Sequence, residues 1–532
     1  MRHPLSRLIA AAAFIVLACN AHAAHGADVQ DPIGRFEITR FAVEGNTLLP
    51  ASDIDKLLTP FTGKDRNFGH VQMALEALEA AYHARGYNVV QIALPEQELN
   101  QGVVRLKVIE TRIGTLRVEG NTVFSEDNVR RSVPGLAAGQ SPNLGEVSSS
   151  LRLANENPSK KVTLQLQSGD NDDEVNATLK VADEKPWKLA ASVDNSGNRN
   201  TGRSQMTVQL QHANVMDRDH VMSLQYTTTL ENPSKVSVYG VGYHIPLYAL
   251  GDSVDLFASY SDVDSGSVLA GIFNLQVSGR GTVLGARYNQ LMPRVGEYES
   301  RFTYGLDYKE FQNNVALQGV QLGNDVIVHP LSLAYTGILG MPDGELSFTM
   351  TGMRNLPGGD KGKSADFARV RAGAPANYSL LRLSAGYFHA LPQDWQMRVS
   401  LAGQYTPDAL IPGEQFGAGG ATTVRGFDER DVSNDKGFLA SAEIYTPNFC
   451  STLQTVAAQC RALMFYDTAS VRRNDALPGE IAKASIGSVG LGFRVAVSRY
   501  LSMQMDYGHV IDGGIAQLKG DNKLHFRLGL TY

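Results

Sequence analysis

An arginine in an unusual setting is the first place to look for chemistry in this chain. In GGATTVRGFDE, Gly419 to Glu429, a lone Arg425 follows a run of glycine and threonine. Its residue types leave three readings open: a solvated charge on a surface loop, a glycine-rich phosphate cradle, or a loop that folds into a cavity and anchors there. The cradle is the poorest fit, because no Walker lysine-threonine pair follows and no helix start is read there. Gly417, Gly419, Gly420 and Gly426 would let the backbone pass through a narrow space. Asp170 to Glu174, DNDDE, hints at a calcium loop but lacks its central glycine and terminal glutamate, and reads better as a hairpin tip. No H-E-x-x-H spacing and no G-x-S-x-G elbow occurs. No catalytic residue, cofactor or metal is assigned, and an enzyme is not expected.

The N-terminus sets the compartment. Residues 1–23 read as a secretory signal peptide: Arg2, His3 and Arg7 precede the apolar LIAAAAFIVLAC, and Ala21-His22-Ala23 is an A-x-A cleavage site. A rival reading is a lipoprotein box ending at Cys19. Beyond the signal no apolar run is long enough for a transmembrane helix. A net charge of −6 argues against a nucleic-acid binder. With Cys19 removed, Cys450 and Cys460 remain, close in sequence and in an oxidising compartment, so a disulfide between them is expected.

The elements that could position Arg425 come in two kinds. FAVEGNTLLP from Phe41 and LRVEGNTVFS from Leu116 share VEGNT, an alternating strand that ends in a Gly-Asn turn. After the first copy, Val71, Leu75, Leu78, Ala81 and Tyr82 mark one face of a helix that Gly86 stops, and two strands follow. Strand, helices, strand, strand repeats less clearly to Asp183. This predicts two α+β modules, residues 35–111 and 112–183. From Trp187 to Tyr532 the chain changes to segments of about ten alternating residues between turn residues, the pattern of a transmembrane β-barrel of about sixteen antiparallel strands. The last strand sets Leu524, Phe526, Leu528, Leu530 and Tyr532 against His525, Arg527, Gly529 and Thr531.

Family resemblance then becomes specific. YHARGYNVVQIALPEQELNQGVVRLKVIE resembles POTRA domains, the periplasmic modules that precede certain outer-membrane barrels. EQFGAGGATTVRGFDER resembles the sixth extracellular loop of the two-partner secretion transporters, the haemolysin secretion/activation (ShlB/FhaC/HecB-like, TpsB) proteins. In that family the loop, here around 414–430, folds back into the barrel with VRG and an aromatic at its tip. The matching tip is Val424, Arg425, Gly426 and Phe427. The family's wall motif, F-x-D-x-G, matches Phe465, Tyr466, Asp467, Thr468 and Ala469. Alanine replaces the final glycine, which puts the loop's approach in doubt but not the charge pairing. Asp467 and Phe465 share a strand face, and a carboxylate belongs in a polar lumen rather than in lipid.

The resemblance implies an outer-membrane transporter that exports one large secreted partner (TpsA-like), with its POTRA domains in the periplasm. Its other partners would be outer-membrane lipid and, during biogenesis, the barrel-assembly machinery. The alternative is an assembly and insertion factor of the same superfamily, which usually carries three or more POTRA modules. About a dozen residues separate the cleavage site from the first module, too few for the plug helix of many relatives. The connection between Cys450 and Cys460 faces the periplasm in the family layout.

Overall fold

The computed structural model describes residues 34–532 apart from 99–100, 199–200, 264–266, 271–274, 279, 313–315, 318–319, 322–324 and 451–456. The signal peptide, Cys19 and most of the stretch expected to be too short for a plug helix lie outside the described residues. The chain divides into two compact units, one running up to Ala81 together with Ile92–Val108, the other comprising Tyr82–Gln91 and Ile109–Tyr532.

In the first module the strand Arg40–Glu44 pairs in parallel with Val103–Ile109, and Gln91–Ala93 completes a three-stranded sheet. The helix Phe68–Ala84 buries Val71, Ala74, Leu78 and Tyr82, so Ala74 rather than Leu75 occupies the centre of its apolar face. Ile38, Val71 and Val104 form one core cluster. The second module has the same sheet logic: Arg112–Glu119, Glu174–Asp183 and Lys160–Ser168, in that order with Glu174–Asp183 central. The DNDDE stretch tips the hairpin between its last two strands.

The repeated VEGNT has one physical explanation in both modules. Gly45 and Gly120 adopt φ of 83° and 85°, and a Cβ on either would sit 2.4 or 2.5 Å from a carbonyl oxygen, of Val108 or Val181. Only glycine fits both the left-handed turn and that approach. The following asparagine then closes the turn, Asn46 Nδ2 donating to Leu49 O and Asn121 Nδ2 to Phe124 O.

The remaining chain is a closed antiparallel barrel of sixteen strands. They are β1 (Trp187–Asp194), β2 (Gln205–Val215), β3 (His220–Thr229), β4 (Val236–Leu247), β5 (Asp252–Val263) and β6 (Arg280–Leu291). Then come β7 (Tyr298–Gln312), β8 (Pro330–Met341), β9 (Gly344–Asn355), β10 (Ser379–Ala390) and β11 (Gln396–Tyr405). The last five are β12 (Lys436–Tyr445), β13 (Ala458–Arg472), β14 (Lys483–Val497), β15 (Leu501–Asp512) and β16 (Asn522–Thr531). A short strand, Val326–Val328, extends the wall beside β7 ahead of β8. β16 pairs with β1 from Arg527↔Asp194 to Thr531↔Ala190 and closes the ring. Closure satisfies every strand edge, as lipid requires.

The burial pattern is inverted relative to a soluble sandwich. Leu383, Leu401, Met464 and Leu491 point outward and are exposed, while Gln225, Thr227, Asp307 and Gln404 are buried inside. That is the arrangement of apolar wall and polar lumen.

The second module is bolted to the barrel's periplasmic turns. Lys160 Nζ lies 2.6 Å from Asp219 Oδ2, in the β2–β3 turn, and both side chains are fully buried. Tyr248, just past β4, donates its hydroxyl to the same oxygen at 2.6 Å. Asn128 Oδ1 accepts from Lys160 Nζ, while Asn157 Nδ2 donates to Ala213 O and Arg152 Nη2 to Met292 O. Burial pulls the Lys160 ammonium below its ordinary pKa, with Asp219 pulling the other way.

Candidate functional site in the barrel lumen

The long connection between β11 and β12 does not stay outside. Its two limbs pair as a short hairpin, Phe416–Ala418 with Val432–Asn434, and its tip lies against the inner wall. Glycine supplies the bend: Gly426 sits at φ 94°. Val424 and Phe427 are fully buried with Ala418 and Val432 against Ala469, Val471, Ile486 and Val510 of the wall. The methyl of Ala469, where the family pattern has glycine, is therefore part of the tip's packing surface rather than an obstacle to it.

Arg425 is buried among four wall strands. Its Nε and Nη2 reach Asp467 Oδ2 and Oδ1 at 2.7 and 2.8 Å, the two-pronged geometry that guanidinium planarity permits. Its backbone N–H also donates to Asp467 Oδ2 at 3.1 Å. Nη1 reaches Glu443 Oε1 at 2.7 Å and Asp506 Oδ1 at 3.4 Å. Ser441 Oγ donates to Asp467 Oδ1 at 2.6 Å and so steadies the carboxylate. Phe465 lies under the guanidinium, 3.6 Å from Cζ to ring centroid, while Tyr466 points outward. The next N–H, of Gly426, donates to His525 Nε2 at 3.0 Å.

The loop is held at further points that the sequence reading did not single out. Glu414, fully buried on the descending limb, pairs with Lys309 of β7 at 2.9 Å and with Arg382 of β10 at 3.4 Å. Asp435, at the loop's exit, takes both prongs of Arg371, the second at 2.9 Å, and accepts from the N–H groups of Leu410 and Asn474. Lys523 of β16 pairs with Asp428 at 2.5 Å. The limb therefore rests on β7 and β10 while the tip rests on β12 to β16, so the loop spans the lumen.

Room for the tip comes from the wall. A Cβ on Gly508 of β15 would stand 2.7 Å from Gly426 N and 2.9 Å from its Cα. Gly508, Asp506, Glu443, Ser441 and His525 all belong to this site. The signal available for them was a polar residue or glycine on the inward face of a late alternating strand.

Cys450 and Cys460 form a disulfide, with Cα atoms 5.2 Å apart, in the periplasmic connection between β12 and β13. Among the described residues no group of His, Cys, Asp and Glu is arranged to hold a metal ion.

Comparison with known proteins follows the same lines. The family profile described as "Haemolysin secretion/activation protein ShlB/FhaC/HecB" matches residues 174–495, and that of the "POTRA domain, ShlB-type" matches 36–111. The outer membrane transporter CdiB of Escherichia coli O6:K15:H31 is 25% identical over 444 residues, covering 80% of this chain and 72% of that protein. The heme/hemopexin transporter protein HuxB of Haemophilus influenzae is 20% identical over 426 residues, covering 79% and 73%. In structure, CdiB from Escherichia coli superposes with a TM-score of 0.73 at 20% identity, over 96% of this chain and 93% of that one. The profile covers more than half of the chain, which thus belongs to the ShlB/FhaC/HecB family of haemolysin secretion/activation proteins, the two-partner secretion transporters of the outer membrane.

Proposed function

We propose that this chain exports one large partner protein through the barrel lumen, and that the Arg425 loop is the element that must yield for passage. The observation that carries the reading is the double hold on the loop, Glu414 on one part of the wall and Arg425 on another. A pore crossed by a pinned loop is closed at rest and opens by exchanging a few ion pairs. The 35–111 and 112–183 modules act before the barrel. Sheet edges such as Gln91–Ala93 and Lys160–Ser168 offer unpaired backbone groups, and an extended partner segment gains affinity there by strand addition with little demand on its sequence. The work is transport rather than catalysis. Folding of the emerging partner outside biases its diffusion outward.

The test is export from a chain lacking Arg35–Thr111, co-expressed with a large secreted protein that the full chain exports. The truncated barrel should reach the membrane and the partner should be missing from the medium. Normal export would refute capture by the first module. A loss of other outer-membrane barrels, with export intact, would favour the assembly-factor reading instead.

A further inference from the structure

The outer face of the barrel carries a row of cations that export does not use. Lys436 opens β12, Arg472 ends β13 and Lys483 opens β14. In the register Lys436 stands opposite Arg472, and Arg472 opposite Lys483. Asp467, Ala469 and Val471 face the lumen, so Arg472 and its two cross-strand partners face out. β1 begins where the second module ends, so odd-numbered strands run outward and the row lies at the extracellular rim.

Three like charges directly opposite one another across neighbouring strands repel. They fall within about 10 Å, two strand spacings. None has an ion-pair partner among the described residues: Asp512, on the next strand, accepts from Ser485 Oγ at 2.8 Å instead. Lys436 lies over the exposed ring of Tyr405, 5.9 Å from Nζ to centroid. Towards the membrane the same face changes in steps. Below the cations come Phe438, Ser470 and Ser485, then Ala440, Thr468 and Gly487, then Ala442, Tyr466 and Val489, then Ile444, Met464 and Leu491. Cation, hydroxyl, aromatic and aliphatic layers follow the depth profile of one amphiphile, with anionic head and acyl tail.

We propose that Lys436, Arg472 and Lys483 form a binding site for the phosphate groups of the outer-leaflet glycolipid, whose acyl chains lie along the apolar face of β12–β14. Clustered phosphates offset the repulsion within the row through charge-assisted hydrogen bonds, which a solvated row of cations lacks. The flanking Tyr405, over which Lys436 lies, sits at the headgroup level, where amphipathic rings are favoured. The site lies on the outer face of the strands whose inner face receives Arg425, so a bound lipid would brace the wall that holds the loop.

The test is native mass spectrometry of the detergent-solubilised full chain, titrated with bis-phosphorylated lipid A, the same glycolipid without phosphate, and phosphatidylglycerol. One bis-phosphorylated molecule should bind per barrel, at least tenfold more tightly than either other lipid. The variant Lys436→Gln/Arg472→Gln/Lys483→Gln should lose that preference, and Lys436→Arg/Lys483→Arg should keep it. Heat-modifiable migration on electrophoresis identifies folded barrels; should the triple variant not fold, Arg472→Gln alone is read, with at least a threefold loss expected. Equal binding of the phosphate-free glycolipid or of phosphatidylglycerol, or undiminished binding by the glutamine variants, would overturn the proposal.

Discussion

Arg425 and Asp467 are 42 residues apart in sequence, yet the guanidinium and carboxylate meet edge to edge at 2.7 and 2.8 Å inside the barrel. The pair joins a loop tip to a wall strand, so its loss would free a segment without unfolding the sheet that surrounds it. Removing one member of a buried pair can cost about 3–5 kcal/mol, because the other charge is stranded. A wet lumen lowers that figure towards the roughly 0–1 kcal/mol of exposed pairs. The effect on loop position should therefore exceed the effect on barrel stability.

Gly508→Ala tests the fit of the tip without touching a charge. The added Cβ meets the backbone of Gly426 at under 3.0 Å, and neither strand nor loop can yield there by rotating a side chain. The barrel should assemble with normal heat-modifiable migration, and export should fall several-fold. Export at the parent's level would show that the tip does not need the contact.

Glu414→Gln tests the second hold. Lys309 would lose its carboxylate partner, a loss of about 1.5–3 kcal/mol for a charged hydrogen bond. The limb should loosen while the tip stays latched, giving a lower thermal midpoint and noisier currents. An unchanged midpoint with unchanged currents would show that the limb is held by packing alone.

Asp219→Asn addresses the junction between the second module and the barrel. Lys160 would be left buried beside an amide, which argues for a penalty of up to about 3–5 kcal/mol. Hydrogen exchange should accelerate around Asn157–Lys160 and in the β2–β3 turn, and little elsewhere. Lys160→Met/Asp219→Leu should restore part of the protection, since it strands no charge, although the Tyr248 hydroxyl and Asn128 Oδ1 each lose a partner. Equal exchange in Asp219→Asn and the parent would contradict a docking role.

Much of this architecture was legible in the sequence because its signals are local. The VEGNT repeat marks a turn that only glycine can make, and two-residue alternation marks each wall strand. Arg425 and Asp467 were found through motifs, each contained in a few residues. Glu443, Asp506, Gly508 and His525 were not, since β12, β15 and β16 surround the tip only after the barrel closes. Glu414, Lys309 and Arg382 were missed for the same reason: Lys309 on β7 and Arg382 on β10 reach Glu414, which lies past β11 in the chain, only once the wall has curved round. Ala469 was read as a departure from the motif, and its buried methyl instead completes the apolar surface under Val424 and Phe427.

Planar-bilayer conductance of Arg425→Ala, read beside export of the partner, tests the account most directly. Currents should be more variable and export impaired, from a normally assembled barrel. Asp467→Ala should match it, and the double variant should be little worse than either, because coupled residues are not additive. If Arg425→Ala conducts and exports like the parent, the loop is not held by this pair and does not gate the lumen.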